Sequence, residues 1–118
     1  MQIPANAVLL RIFTGEDDRH DHHPLYEAIV LKAREMHLAG ATVLRGPMSF
    51  GHSSRLHTSK ILRLSEDLPV VIEIVDSEDK INAFLPVLDT MITMASGLVT
   101  LEKVQVLHYG PSAKTQGP

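Results

Sequence analysis

Cysteine is absent from this chain of 118 residues. Its absence excludes a disulfide framework, a zinc site with cysteine ligands and a thiol nucleophile. Aromatic residues make up only 4% of the chain, whereas hydrophobic residues as a whole make up 44%. The chain can therefore form a core, but that core has to be built mainly from aliphatic side chains.

Long apolar runs and an excess of basic residues are missing as well. No run approaches the roughly 20 apolar residues of a membrane span. The amino terminus, MQIPANAVLL, lacks the basic segment and the long apolar core of a signal peptide. Eleven basic residues against 14 acidic ones give a formal charge of −3, whereas nucleic-acid-binding domains are usually basic. The composition predicts a cytoplasmic protein of one domain with no nucleic acid partner.

Hydrophobic periodicity predicts two helices and four strands. Pro24 opens the first helix, which runs to about residue 39, and Gly40 takes the left-handed conformation that closes helices. Asp76 or Ser77 caps the second helix, and Gly97 closes it. The strands are predicted at residues 7–13, 41–44, 69–76 and 98–109.

The order strand, helix, strand, strand, helix, strand predicts an α+β, ferredoxin-like fold. Two helices cannot cover both faces of a four-stranded sheet, so both should lie on one face of an antiparallel sheet. Residues of either parity in the strands are apolar, including Leu9 and Phe13, so the other face also needs cover. We therefore expect a homo-oligomer. We expect residues 1–110 to form a single domain and residues 111–118 to form a disordered tail, since the tail has no apolar residue larger than alanine.

Glu73 is the exception in the apolar strand at residues 69–76. Its carboxylate either meets a basic residue at a subunit interface or reaches solvent. Reaching solvent is the more common arrangement for such a residue.

An acid-free stretch lies between Glu35 and Glu66. It holds four basic residues together with His52 and His57, and glycine and serine interrupt it. Backbone N–H groups of such a loop, with arginine or lysine nearby, suit an anionic small ligand. The candidate ligand-binding residues are Phe50, Gly51, His52, Ser53, Ser54, Arg55, His57 and Lys60. A solvated loop without a ligand is the alternative.

A second polar segment, EDDRHDHH, places four acids and three histidines in eight residues. Aspartate and histidine at such spacing can bind a divalent metal. The candidate ligands are Asp18, His20, His22 and His23. A solvated acidic loop is the preferred interpretation, because histidines on a loop without a fixed scaffold rarely bind metal tightly.

Nothing in the chain resembles a reaction centre. Ser53, Ser54 and His57 lie close in sequence, but such adjacency is frequent by chance, and neither a P-loop nor a nucleophile–base pair stands out. We therefore expect a protein that is not an enzyme.

Four runs of sequence form a recognisable pattern: PLYEAIV, AGATVLRG, HTSKILRLSEDLPVVIEIVD and GLVTLEKV. In these runs the chain resembles the PII-like family called domain of unknown function 190, over roughly residues 7–109. That family is related in fold to the nitrogen-regulatory PII proteins and to the CutA divalent-cation-tolerance proteins. The resemblance implies a ferredoxin-like subunit in a homotrimer whose sheets face inward.

The resemblance also implies a regulatory function. PII proteins bind a nucleotide in the cleft between neighbouring subunits and sense it with a long loop after the second strand. Here SFGHSS is similar to the GFG that opens that loop, with Phe50 and Gly51 at matching positions and Ser49 in place of the first glycine. The implied ligand is a small anion, with nucleotides among the candidates, and the implied partner is a membrane transporter or an enzyme. The relation to CutA supports the metal-binding alternative.

The chain also departs from the PII pattern. The glycine-rich phosphate loop before the last strand is reduced to ASGLVT, and no arginine follows Lys103. Residues 55–60 contain no tyrosine, the residue that PII proteins modify in their loop. The sequence therefore names no cofactor.

Overall fold

A computed structural model describes residues 6–50, 56–58, 68–92 and 97–110, with side chains for all of these except 48–50 and 56–58. Four strands, β1 (Asn6–Gly15), β2 (Thr42–Arg45), β3 (Pro69–Asp76) and β4 (Leu98–Gln105), form one antiparallel sheet. Helix α1 (Leu25–Glu35) follows β1, and helix α2 (Glu78–Ile92) follows β3. The strand order is β2-β3-β1-β4, which confirms the ferredoxin-like α+β fold.

Alternation along β1 and β3 buries one face of the sheet. Leu10, Ile12, Ile72 and Ile74 point to this face and are almost fully buried, whereas their neighbours along each strand are half-buried. One aromatic side chain, Phe84, lies among the aliphatic ones, as the composition predicted. The buried apolar cluster consists of Val8, Leu10, Ile12, Leu25, Ile29, Ala33, Val70, Ile72, Ile74, Ile81, Phe84, Leu88 and Met91.

The first helix ends at Glu35, earlier than the sequence predicted. His37 has a φ of 63° and takes the left-handed conformation that the sequence assigned to Gly40. The N–H groups of His37 and Leu38 donate to the carbonyl oxygens of Arg34 and Ala33, which is the Schellman pattern. The prediction for Gly40 was wrong because these two bonds, and one from Lys80 Nζ to the His37 carbonyl at 2.6 Å, stabilise the turn without glycine.

The second helix begins as predicted. The Ser77 hydroxyl accepts a hydrogen bond from the Lys80 N–H at 3.3 Å, which is the contact of an N-cap residue. Glu78 and Asp79 lie in the first turn, where the helix dipole favours acidic side chains. Neither helix in the described part of the chain is long and apolar enough to cross a membrane.

The strand boundaries differ from the prediction mainly at β4. This strand ends at Gln105, not at residue 109, and Gln105 pairs with Asn6 of β1 in the register observed. β3 has the predicted bounds, whereas β1 is longer at both ends and β2 is shifted by one residue. Residues 111–118, the predicted tail, lie outside the described residues.

Gly97 lies against the backbone at the end of β1. A Cβ atom at this position would lie 2.5 Å from the Phe13 carbonyl oxygen, a distance at which the backbone has to shift. The end of α2 at Ile92 is separated from Gly97 by residues outside the described ranges. The observed reason for glycine here is therefore close backbone approach.

Gly97→Ala should lower the free energy of unfolding by about 1–3 kcal/mol, because the added methyl group forces β1 and the start of β4 apart. Gly40→Ala is the matched control, since a Cβ there meets nothing within 4 Å. Chemical denaturation of the two variants and the wild type measures the difference. Equal losses in both variants would contradict this account of Gly97.

Candidate functional site

The acid-free stretch forms a short β-hairpin that the sequence did not predict. Met48–Phe50 pairs with Leu56–Thr58, with Ser49 opposite His57 and Phe50 opposite Leu56. This pairing holds the backbone at Phe50 and Leu56 side by side. Two of the predicted ligand-binding residues, Phe50 and His57, therefore lie in this hairpin. The others, Gly51, His52, Ser53, Ser54, Arg55 and Lys60, lie outside the described residues, and the ligand-binding role of the whole set stays a prediction.

The base of this hairpin is held by β3 and by the loop after β1. The Gly46 N–H donates to the Pro69 carbonyl at 2.8 Å, and the Glu16 N–H donates to the Leu68 carbonyl at 2.8 Å. Arg45 Nη2 lies 2.7 Å from Glu16 Oε2. Since both side chains are partly exposed, this ion pair contributes little stability. It does place a guanidinium where the hairpin leaves the sheet.

The histidine-rich segment is also a hairpin, not an unstructured loop. Arg19–His20 pairs with His23–Pro24, and Asp21 and His22 form the two-residue turn between them. Both turn residues have positive φ, 51° and 71°, as a type I′ turn requires. Asp18 anchors the hairpin, because its Oδ2 accepts a hydrogen bond from the Gly15 N–H at 2.9 Å.

The four candidate metal ligands are not brought together. His20 Nε2 lies 3.6 Å from Asp21 Oδ2, but within residues 6–50, 56–58, 68–92 and 97–110 no three histidine or acidic side chains are placed to share a metal ion. A site at Asp18, His20, His22 and His23 is thus a prediction without geometric support in the structure.

A groove of about 770 Å³ lies at the end of the sheet where β2 begins and β4 ends. One wall is the chain from Ala39 to Thr42, and the other is the chain from Val104 to Tyr109; Glu73 and Val75 contribute to the lining. The Tyr109 hydroxyl donates to the Ala39 carbonyl at 2.7 Å and so joins the two walls. The sequence pattern predicted that residues 106–109 continue β4, so it gave no indication of this groove.

Asp76 supports the wall of the groove that begins at Ala39. Its side chain is buried, and its two oxygens accept hydrogen bonds from the N–H groups of Ala39, at 2.9 Å, and Ser77, at 2.6 Å. Asp76 therefore joins the turn after α1 to the start of α2. A carboxylate suits this position because two backbone donors point to one place.

The face of the sheet opposite the helices carries an ionic cluster at its centre. Arg11 Nε lies 2.9 Å from Glu73 Oε2, and Arg11 Nη1 lies 3.3 Å from Glu102 Oε1. The hydrogen bond with Glu73 is the main reason that the pKa of Arg11 is raised above its usual value. Glu73 thus pairs with a basic residue of its own chain, and its side chain remains about one-third exposed.

The sequence and its relatives place the chain in a family. A family model, that of the DUF190 proteins described as "Uncharacterized ACR", matches residues 7–106. The chain belongs to the DUF190 family. A UPF0166 protein of Aquifex aeolicus (strain VF5) is 40% identical over 100 residues, which cover 85% of this chain and 92% of the relative. The UPF0166 protein MJ1524 of Methanocaldococcus jannaschii is 34% identical over 100 residues, which cover 85% and 91%.

Solved structures of PII-like proteins share the fold of this DUF190 chain. CPII, a nitrogen regulatory PII-like protein from Thiomonas intermedia K12 solved with ADP, AMP and bicarbonate, superposes with a TM-score of 0.69 at 14% identity, over 87% of this chain and 90% of CPII. A putative PII-like signaling protein from Thermus thermophilus gives a TM-score of 0.63 at 17% identity, over 89% and 93%. Identities this low establish the common fold alone.

Asp76→Ala should destabilise the protein by roughly 2–4 kcal/mol, because two backbone N–H groups lose a charged acceptor. Asp79→Ala is the control, since Asp79 is exposed in the first turn of α2; its loss should stay below about 1 kcal/mol. Urea denaturation of both variants provides the comparison. A loss at Asp76 no larger than that at Asp79 would show that the buried contacts matter little.

Calorimetry with zinc and nickel tests the histidine-rich hairpin. We expect weak binding that is the same in the wild type and in the triple variant His20→Ala/His22→Ala/His23→Ala, since the side chains are not grouped as ligands. A real site would bind more weakly as the pH falls, because metal coordination requires neutral imidazole. Tight, pH-dependent binding that the triple variant loses would establish the metal site instead.

Proposed function

We propose that this protein is a homotrimeric PII-like regulator that binds a small anionic ligand, first of all an adenine nucleotide, in the cleft between neighbouring subunits. The carrying observation is the fold shared with CPII over 87% of this chain. CPII was solved with ADP, AMP and bicarbonate, which makes these the first ligands to test. The protein acts by binding in the cytoplasm and has no catalytic role; its target is a membrane transporter or an enzyme.

The open face of the sheet supports self-association. In the observed register the half-buried residues of β1 and β3, including Leu9, Phe13 and Val71, point away from the helices. Leu44 on β2 and Leu98 on β4 share that face and are 49% and 58% exposed. Apolar side chains on a sheet face without a covering layer favour association with other copies.

The hairpin after β2 supports the position of the ligand. It begins shortly after Arg45, whose ion pair with Glu16 holds its base, and it brings Phe50 and His57 into one small unit. Gly97, at the start of β4, is what this chain retains of the glycine-rich phosphate loop of PII proteins. We place the ligand at Phe50, Gly51, His52, Ser53, Ser54, Arg55, His57 and Lys60.

Isothermal titration of the pure protein with ADP, AMP, ATP, cyclic nucleotides and bicarbonate at low salt tests this function. Arg55→Ala should weaken binding about ten- to a hundred-fold through the loss of a charge-assisted contact. Gly51→Val should block the ligand, because a side chain prevents close backbone approach. Arg34→Ala is the control, since Arg34 is exposed on α1.

The outcomes separate the parts of the proposal. Binding by the wild type and by Arg34→Ala, together with weaker binding by the other two variants, supports the site. No binding by the wild type would refute the nucleotide and bicarbonate hypothesis. Equal affinities in all four proteins would move the ligand site away from Gly51 and Arg55.

A further inference from the structure

Charge on the open face of the sheet is confined to one cluster. The pairing register places Arg11 of β1, Glu73 of β3 and Glu102 of β4 on this face, and they are the only charged residues that the four described strands present there. Around them the face is largely apolar. Any surface that covers this face therefore has to accommodate three charged groups near its centre.

The two contacts of Arg11 differ in closeness and exposure. The bond to Glu73 is the shorter, at 2.9 Å, and both partners are about one-third exposed, 38% for Arg11 and 31% for Glu73. The bond to Glu102 is longer, at 3.3 Å, and the Glu102 side chain remains 61% exposed. Glu73 thus fixes the guanidinium in the sheet, whereas Glu102 is loosely held and reaches outward.

We propose that Glu102 pairs with Arg11 of a second copy of this chain when the open face is covered. Each Arg11 then keeps its own Glu73 and binds the Glu102 carboxylate of a neighbouring copy. This inference rests on the self-association contained in the proposed function and names the polar contact that directs it.

Desolvation supplies the physical reason. Covering the face removes water from Glu102, and a carboxylate that loses water needs close hydrogen-bond donors. Arginine has five N–H donors, more than the two that point to Glu73 and Glu102 in one chain. When faces meet around a symmetry axis, their central residues approach one another, and the same surface supplies both the cation and the anion.

Such a contact acts mainly on specificity. The apolar residues around the cluster supply affinity in many relative orientations, whereas an ion pair between copies is satisfied in few. The cluster therefore selects the orientation in which the copies associate, because a misaligned copy removes water from Glu102 and leaves it only the 3.3 Å contact with its own Arg11.

The first test measures molar mass by light scattering over a dilution series. Glu102→Gln should weaken association of the wild-type oligomer by roughly tenfold or more, because an amide replaces the charged partner. Lys103→Gln is the matched control, since Lys103 is the next residue on β4 and points to the opposite face of the sheet. It should associate as the wild type does.

The second test distinguishes contacts between chains from contacts within one chain. Glu102→Lys and Arg11→Glu should each dissociate the oligomer, because each places like charges together. An equal mixture of the two variants should recover part of the oligomer, since the new cation of one chain can then pair with the new anion of the other. Circular dichroism melting confirms that each variant is folded, and Glu102→Gln still decides the question if Arg11→Glu unfolds.

The results separate this inference from the function on which it rests. A wild-type oligomer with the expected losses and recovery in the mixture supports it. A wild-type oligomer that the Glu102 variants leave unchanged, or a mixture without recovery, overturns it while leaving the trimer and the ligand site as they were. A monomeric wild type overturns both the inference and the proposed self-association, although titration with nucleotides can still succeed.

Discussion

The architecture depends on a mismatch between two helices and a four-stranded sheet with two faces. Helices α1 and α2 both pack on the even-numbered residues of β1 and β3. Strand alternation then sends every second residue to a face that no described element of the same chain covers. Since many of those residues are apolar, the chain has one buried core and a second sheet face with partly exposed apolar side chains.

The turns that surround the sheet are positioned by a few polar contacts. Asp76 binds the turn after α1 to the start of α2, Tyr109 binds the same turn to the chain after β4, and Glu16 binds Arg45 at the base of the hairpin that follows β2. These contacts contribute modestly to stability. Their main consequence is to position the groove at the start of β2 and the hairpin beyond its end.

Local sequence pattern is sufficient to predict some of the strands and helix ends of this fold. β3 has the predicted bounds because its apolar residues on both faces reflect burial in the middle of the sheet, and the cap of α2 at Ser77 follows from local hydrogen bonding. The predicted end of α1 was wrong because a residue other than glycine can take the left-handed conformation when hydrogen bonds stabilise the turn. His37 is such a residue. Both short hairpins were missed because they are stretches of only two or three paired residues, too short for alternation to be visible.

The sequence by itself determined the order of the elements, the aliphatic core and the family, since each depends on residue type and spacing along the chain. Only the tertiary structure decided that Glu73 meets Arg11, because these residues lie 62 positions apart and their contact depends on the pairing register of β1 and β3. It also decided that Asp76 is buried beneath Ala39 and that the chain after Gln105 turns to form a groove. Such contacts depend on three-dimensional proximity between distant segments, which periodicity within one segment does not encode.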